Sequence, residues 1–263
     1  FDVEQWAPGG RSPIWVKVPL IDGSSTTDSI LMHFGAGTGA SNLASDLVWT
    51  GYELVSHMGT TVVDAANTYD GTVSNTTGGE GQIGPATIFT DNGQEVRFAT
   101  ADALLTGWDA WTLELWLRPT YGSLMEAERS NEVIGKGAFT SIQDGRIERQ
   151  PLASNLWFQI DVHFSTGPSS YLNTNLPLNA WTHISYTHDG TALRLYKNGA
   201  LVQGPENRGA TLDTTPDDIV LGGGSPMFGA IDELRISNAG FSADWIRAQH
   251  LSMTGQFVTF TDP

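Results

Sequence analysis

The chain has no cysteine in 263 residues, which removes a disulfide scaffold, a thiolate metal centre and a thiol nucleophile together. It is poor in positive charge: 13 Lys and Arg stand against 29 Asp and Glu, a formal net charge of −16. Phosphate backbones and anionic lipid surfaces are repelled over most of such an exterior, so nucleic acid is not an expected partner, while neutral sugars, cations and basic proteins remain. No apolar run approaches the ~18 residues of a membrane-spanning helix, so no membrane insertion is expected in this segment. The chain starts at Phe1 with neither an initiating Met nor a signal peptide, a start expected of a processed protein or of a piece of a longer one. Charge of either sign is scarce, at 16% of residues, against roughly 25% in ordinary globular domains.

What is present is glycine (30 residues) and aromatics (10%), the composition of short strands and tight turns. Strand-like segments follow one another at short intervals: ATIFTD, EVRFAT, WTLELWLRP, NEVIGKG, NLWFQIDVHF, WTHISYTHDG, ALRLYKNG, DIVLGGG and AIDELRIS. That spacing predicts a two-sheet antiparallel sandwich. Ahead of it, IWVKVP (14–19) and SILMHF (29–34) read as a hairpin, a small β-rich appendage over residues 1–58 that leans on the sandwich at 59–263. Residues 57–84, rich in Gly, Thr, Asn and Asp, read as ordered loop. One short helix is predicted at FSADWIRAQH, with Ser242 as its cap, Asp244 in the first turn and Arg247 and His250 towards the end.

The most patterned stretch is Trp181 to Gly204. Trp181, His183, Ser185 and Thr187 share one face of a strand, Thr182, Ile184, Tyr186 and His188 the other, and neither face is cleanly apolar. Asp189-Gly190 and Asn198-Gly199 supply the turns on either side of TALRLYK.

WTHISYTHDG with TALRLYKNGALV, the earlier WTLELWLRP and the closing FGAIDELRISNAGFSADWIRAQH together resemble a LamG-like jelly roll of the concanavalin A-like lectin/glucanase superfamily. The resemblance covers about residues 59–255 and is specific for the fold rather than for function. IWVKVPLIDGSSTTDSILMHFG and ELVSHM are similar to the C-terminal half of a bacterial domain of unknown function that often precedes such jelly rolls. That likeness implies an extracellular or periplasmic protein of the bacterial envelope, with a parent chain that is membrane-anchored in some relatives through fusion to proton channels of the MotA/TolQ/ExbB type.

Chemistry has few candidates. Glucanases of the superfamily carry E-x-D-x-x-E along one strand, so that alternate carboxylates face the sugar. Here LELWL offers only Glu114, and the adjacent Asp232 and Glu233 are expected on opposite faces of their strand. YKNGALVQ resembles the YxKxGxYxQ of alginate-lyase-like jelly rolls, but Lys197 is next to Tyr196 instead of two residues on. The six histidines (33, 57, 163, 183, 188 and 250) show no metal-binding spacing and read as surface or packing residues. Asp64, Asn67 and Asp70 of DAANTYDG are hard oxygen donors, and Asp232 stands at the IDE position of LamG-like domains, where the resemblance implies a structural calcium tying an N-terminal loop to the last strand.

Nine tryptophans supply faces for sugar stacking. Trp116, on the same strand face as Glu114 and Arg118, and Trp157 are the candidate ligand-binding residues, while Trp111, Trp181 and Trp245 read as core. The expectation is a noncatalytic carbohydrate-binding or adhesion module, not an enzyme, partnered by a glycan or an envelope protein. A structural or protein-interaction (sensor) domain of a membrane-associated transport assembly is the second reading, and a polysaccharide lyase or hydrolase the third.

Overall fold

A computed structural model describes residues 1–22, 27–31, 45–100, 103–120, 133–136, 148–149, 155–209, 211–223 and 227–258. In chain order the elements are β1 (Asp2–Val3), β2 (Ile14–Trp15), α1 (Ser45–Val48), β3 (Leu54–Ser56), β4 (Gly71–Ser74), β5 (Thr77–Glu80), β6 (Pro85–Phe89), β7 (Glu95–Phe98) and β8 (Ala110–Pro119). They continue with β9 (Ile134–Gly135), β10 (Glu148–Arg149), β11 (Asn155–Val162), β12 (Ser170–Pro177), β13 (Thr182–Asp189) and β14 (Ala192–Lys197). The last four are β15 (Ala200–Asn207), β16 (Ile219–Gly222), β17 (Gly229–Ser237) and α2 (Ala243–Met253).

One layer of the sandwich is an antiparallel sheet in the order β15-β14-β13-β8-β17-β6-β5, with β3 also paired to β17. The other is built from β4-β7-β16-β9 and from β10-β11-β12. Strand β8 explains the arrangement. Its alternation sends Trp111, Leu113, Leu115 and Leu117 into the main core, where they meet Val96 and Phe98 of β7, Phe158 and Ile160 of β11, Leu221 of β16, and Ile184 and Tyr186 of β13. The intervening Thr112, Glu114, Trp116 and Arg118 face outward, yet the first three are also buried. Trp116 is covered by His250 and Met253 of α2 and by Trp15, and Thr112 by the backbone of residues 239–241.

Ser242 caps α2 by accepting the Trp245 amide at 3.2 Å, as the sequence predicts. Met253 at the far end takes the Trp116 indole N–H on its sulfur at 3.1 Å, and Gln249 accepts from Arg235 at 2.9 Å. The β14–β15 turn runs beneath the helix: Asn198 and Gly199 have φ of 51° and 75°, and a Cβ on Gly199 would lie 3.0 Å from that of His250. Across the other hairpin only Gly190 is left-handed. Asp189 closes that turn through its side chain, which accepts the Thr191 and Ala192 amides at 2.9 Å each.

Several expectations change. The predicted loop at 57–84 contains β4 and β5. Ladder hydrogen bonding there comes from neighbouring strands, which local composition does not reveal. Strand β3 belongs to the large sheet, so the sandwich begins before residue 59. Of IWVKVP only Ile14 and Trp15 pair, with Val3 and Asp2, and Val16 and Val18 are exposed. In SILMHF, residues 29–31 form no strand, and 32–34 lie outside the described residues. Strand β12 falls outside the strand-like segments read from the sequence, and β15 runs on for eight residues past the Asn198-Gly199 turn. The first alternates Leu with Asn, a residue depleted in strands, and the second carries Gly204 and Pro205 and is an edge strand, where Pro is tolerated.

Candidate functional site

Among the described residues, an exposed aromatic ring stands beside polar side chains on β11 and β12. Their register sets Trp157 opposite Asn175, Gln159 opposite Asn173, and Asp161 opposite Tyr171. The alternate residues Phe158, Ile160, Leu172 and Leu176 are in the core, so Gln159, Asp161, Tyr171, Asn173 and Asn175 line the outer face. Tyr171 is 59% exposed. Asn175 is also exposed, and Gln159, Asp161 and Asn173 are half-buried. Gln159 donates to Asp161 at 2.7 Å, which holds both planar groups across from the tyrosine. The far edge of β12 is sealed from β14 and β15: Gln203 accepts the Asn173 amide at 2.6 Å, and Lys197 Nζ donates to the Asn175 carbonyl at 3.1 Å. The Lys and Gln that invited a lyase comparison thus use their polar atoms to tie one layer to the other, and Tyr196 is buried.

The predicted ligand set does not gather on this face. Glu114, Trp116 and Arg118 do share one side of β8, but Glu114 and Trp116 are only 1% and 2% exposed, enclosed by α2. Trp116 packs against a tilted His183 ring at 5.2 Å and stacks on His250 at 5.6 Å, and Arg118 sits 4.9 Å above the Trp181 ring. This corrects the surface assignment of Trp116: a face covered by a helix is unavailable to a glycan. Trp157 has its backbone on β11, and its side chain lies outside the described residues. Of the tryptophans assigned to the core, Trp111 is fully buried, but Trp245 is 47% exposed on α2 and Trp181 is half-buried.

The expected calcium set also divides. Asp64 is fully buried, and its carboxylate accepts four backbone amides: Val55 and Ala66 on Oδ1, Thr68 and Tyr69 on Oδ2, all at 2.9–3.0 Å. Asp70 accepts the Asp64 amide at 2.9 Å, and Asn67 takes a left-handed φ of 65°. These carboxylates hold the loop through its own amides. Asp232 is elsewhere, accepting the Gln82 and Ile83 amides at 2.8 and 3.0 Å.

The strongest electrostatic cluster was not visible in the sequence. A register shift in β17 falls between Asp232 and Arg235, with Glu233 at φ 55°. This bulge breaks the strict alternation of side chains. Asp232 and Glu233 therefore belong to one buried cluster, a correction to their expected placement on opposite faces. His57 Nδ1 lies 2.6 Å from Glu233 Oε1, and Nε2 lies 3.1 Å from Asp2 Oδ2. Glu233 Oε2 is held by Arg235, whose guanidinium stacks on Trp15 and Trp49. Those indoles donate to Glu4 and Asp2 at 3.0 and 2.8 Å.

Burial opposes the charge on His57, but Glu233 and Asp2 outweigh it and raise its pKa to about 10. Burial pushes Asp232 up to about 8, reinforced by Glu233. It also raises Glu114, to about 7. Glu114, Asp232 and Glu233 are each at most 1% exposed.

The sequence profile of a family described as the concanavalin A-like lectin/glucanases superfamily matches residues 90–247, more than half of the chain. No curated protein sequence matches. Among solved structures the chain is similar to the botulinum neurotoxin serotype D ligand binding domain in complex with N-acetylneuraminic acid, at 13% identity and a TM-score of 0.63 over 80% of this chain and 52% of that one. It is similar to the binding domain of Paraclostridial Mosquitocidal Protein 1, at 13% identity and TM-score 0.63 over 77% and 52%. It thus spans about half the length of these toxin domains. Domain 4 of an extracellular GH43 arabinanase from Geobacillus stearothermophilus, in complex with arabinotriose, matches at 20% identity and TM-score 0.51 over 70% of this chain and 90% of that one.

Proposed function

The chain belongs to the concanavalin A-like lectin/glucanases superfamily, and on that premise we propose that it is a noncatalytic carbohydrate-binding module whose glycan lies on the outer face of β11 and β12. The observation that carries the reading is the exposed Tyr171 ring beside Gln159, Asp161, Asn173 and Asn175 in cross-strand register. An apolar ring supplies a stacking platform for the C–H face of a sugar, and side-chain amides and a carboxylate supply donors and acceptors for its hydroxyls. The net charge of −16 favours neutral sugars over acidic ones. Relatives described with N-acetylneuraminic acid and with arabinotriose make a saccharide a reasonable first ligand to try. A secreted or cell-envelope location is part of the same reading. Calcium carries no step in it, because the Asp64 carboxylate already serves four amides.

The test is a glycan array followed by calorimetry on the best hit, for the wild type and for Tyr171→Ala. A stacking residue at the centre of such a face contributes on the order of tenfold or more in affinity, and the variant should keep the wild-type Tm because Tyr171 is exposed. Absence of any glycan hit, or a hit insensitive to Tyr171→Ala, overturns the assignment.

A second reading, a protein-interaction segment, is favoured by the apolar side chains exposed before the sandwich: Trp6 at 60%, Leu20 at 73% and Leu31 at 82%. In that reading the partner of the N-terminal segment is protein.

A further inference from the structure

We propose that Glu4, His57 and Glu233 form a binding site for a divalent transition-metal ion of the zinc class, which joins the N-terminal segment to β17. Glu4, His57 and Glu233 each offer one donor atom, and the three atoms lie within 4.8 Å of one another. His57 Nδ1 is 2.6 Å from the Glu233 oxygen and 3.7 Å from the Glu4 oxygen. Donors on a tetrahedral zinc at about 2.0 Å stand roughly 3.3 Å apart, a separation that these two distances bracket.

Each donor is also held from behind. His57 turns its other ring nitrogen to Asp2 at 3.1 Å, the carboxylate–histidine arrangement that orients an imidazole towards a metal. Arg235 holds the second oxygen of Glu233 at 3.1 Å through its Nε. The Trp15 indole holds Glu4 at 3.0 Å.

Two further atoms point to a cation ligand. Glu4 is 1% exposed at its side chain, and its Oε1 has no hydrogen-bond partner. That oxygen sits in a cradle that Gly84 leaves open, since a Cβ there would fall 1.8 Å from it. Asp232 is fully buried, its Oδ1 is likewise without a partner, and it interacts electrostatically with Glu4. A divalent ion at this site gives the buried Glu4 carboxylate, whose Oε1 has no hydrogen-bond partner, an electrostatic partner.

The imidazole donor selects the metal class. Calcium takes six to eight oxygen ligands, whereas zinc accepts nitrogen and oxygen in a three-donor set that a carboxylate oxygen or a water completes. His57 is 15% exposed at its side chain, which leaves a route for the ion.

The experiment uses the whole chain stripped with chelator and titrated with Zn²⁺, Co²⁺ and Ca²⁺ by calorimetry and thermal unfolding. Expected are one zinc per chain, a Tm that rises with zinc concentration by mass action, and a visible Co²⁺ absorption of low-coordinate N/O geometry. Glu4→Gln and His57→Gln should each weaken zinc at least tenfold, Asp2→Asn by ~10–100-fold as an orienting partner, and His163→Gln not at all. Glu4→Gln keeps the acceptor for Trp15, so it tests the donor even if His57→Gln fails to fold. No zinc binding, zinc binding that survives Glu4→Gln, or an equal Tm rise with Ca²⁺ overturns the proposal.

Discussion

Replacing Glu114 by Gln tests whether this sandwich carries a charge it would be more stable without. Glu114 is 1% exposed. It accepts one hydrogen bond, from Ser185 at 3.1 Å, and its second oxygen has no partner. Burial lifts its pKa from the ordinary 4.5 to about 7, with Arg235 opposing the rise. His183, 3.8 Å away, does not neutralise it, because burial keeps that imidazole uncharged by driving its pKa well down.

The native state therefore binds the Glu114 proton more tightly than the unfolded chain does. Between pH 4.5 and 7 the unfolded state has lost the proton and the native state has kept it, so this group makes stability fall as pH rises. A shift of roughly 2.5 units corresponds to about 3 kcal/mol. Urea unfolding of the wild type and Glu114→Gln from pH 4.5 to 8 gives the difference directly. The variant should gain on the wild type by about 3 kcal/mol across that window, with the gain levelling off above pH 7 to 8. A flat difference would refute the reasoning, and a variant that loses stability relative to the wild type as pH rises would show instead that Glu114 works as an ion-pair partner of Arg235.

The remaining predictions concern loops, caps and turns. Asp64→Asn keeps the shape but sets an amide N–H against amides that need an acceptor, and should cost about 2–4 kcal/mol by denaturant unfolding. Gly199→Ala forces a side chain into a left-handed position 3.0 Å from the His250 Cβ, and should cost about 1–3 kcal/mol with the glycan affinity unchanged. Ser242→Ala removes the cap from α2 and should lower stability by about 1 kcal/mol.

The fold was legible where local physics and tertiary structure agree. Strand β8 announces itself because Trp111, Leu113, Leu115 and Leu117 alternate with outward residues, and α2 because Ser242 caps an amphipathic run. Asn198-Gly199 is readable because few sequences tolerate two successive left-handed residues. Strand β12 was hidden because two of its outer positions, 173 and 175, are Asn, a residue depleted in strands, and the strand ends at Pro177. The Tyr171 face was missed for the same reason, although Trp157, a sequence candidate, stands in register on the neighbouring strand.

By itself the sequence determined the class of the molecule: an acidic, cysteine-free β-sandwich with no thiol chemistry, closed by a capped helix. Only the tertiary structure decided which polar groups are available to a partner. Periodicity says that Glu114 and Trp116 face outward from their sheet, but not that α2 covers that side. Composition says that Asp64 can bind a cation, but not that four amides already surround it. The cluster at Glu4, His57 and Glu233 joins residues more than 200 positions apart through a bulge that breaks the period-2 rule, so no local pattern could have announced it.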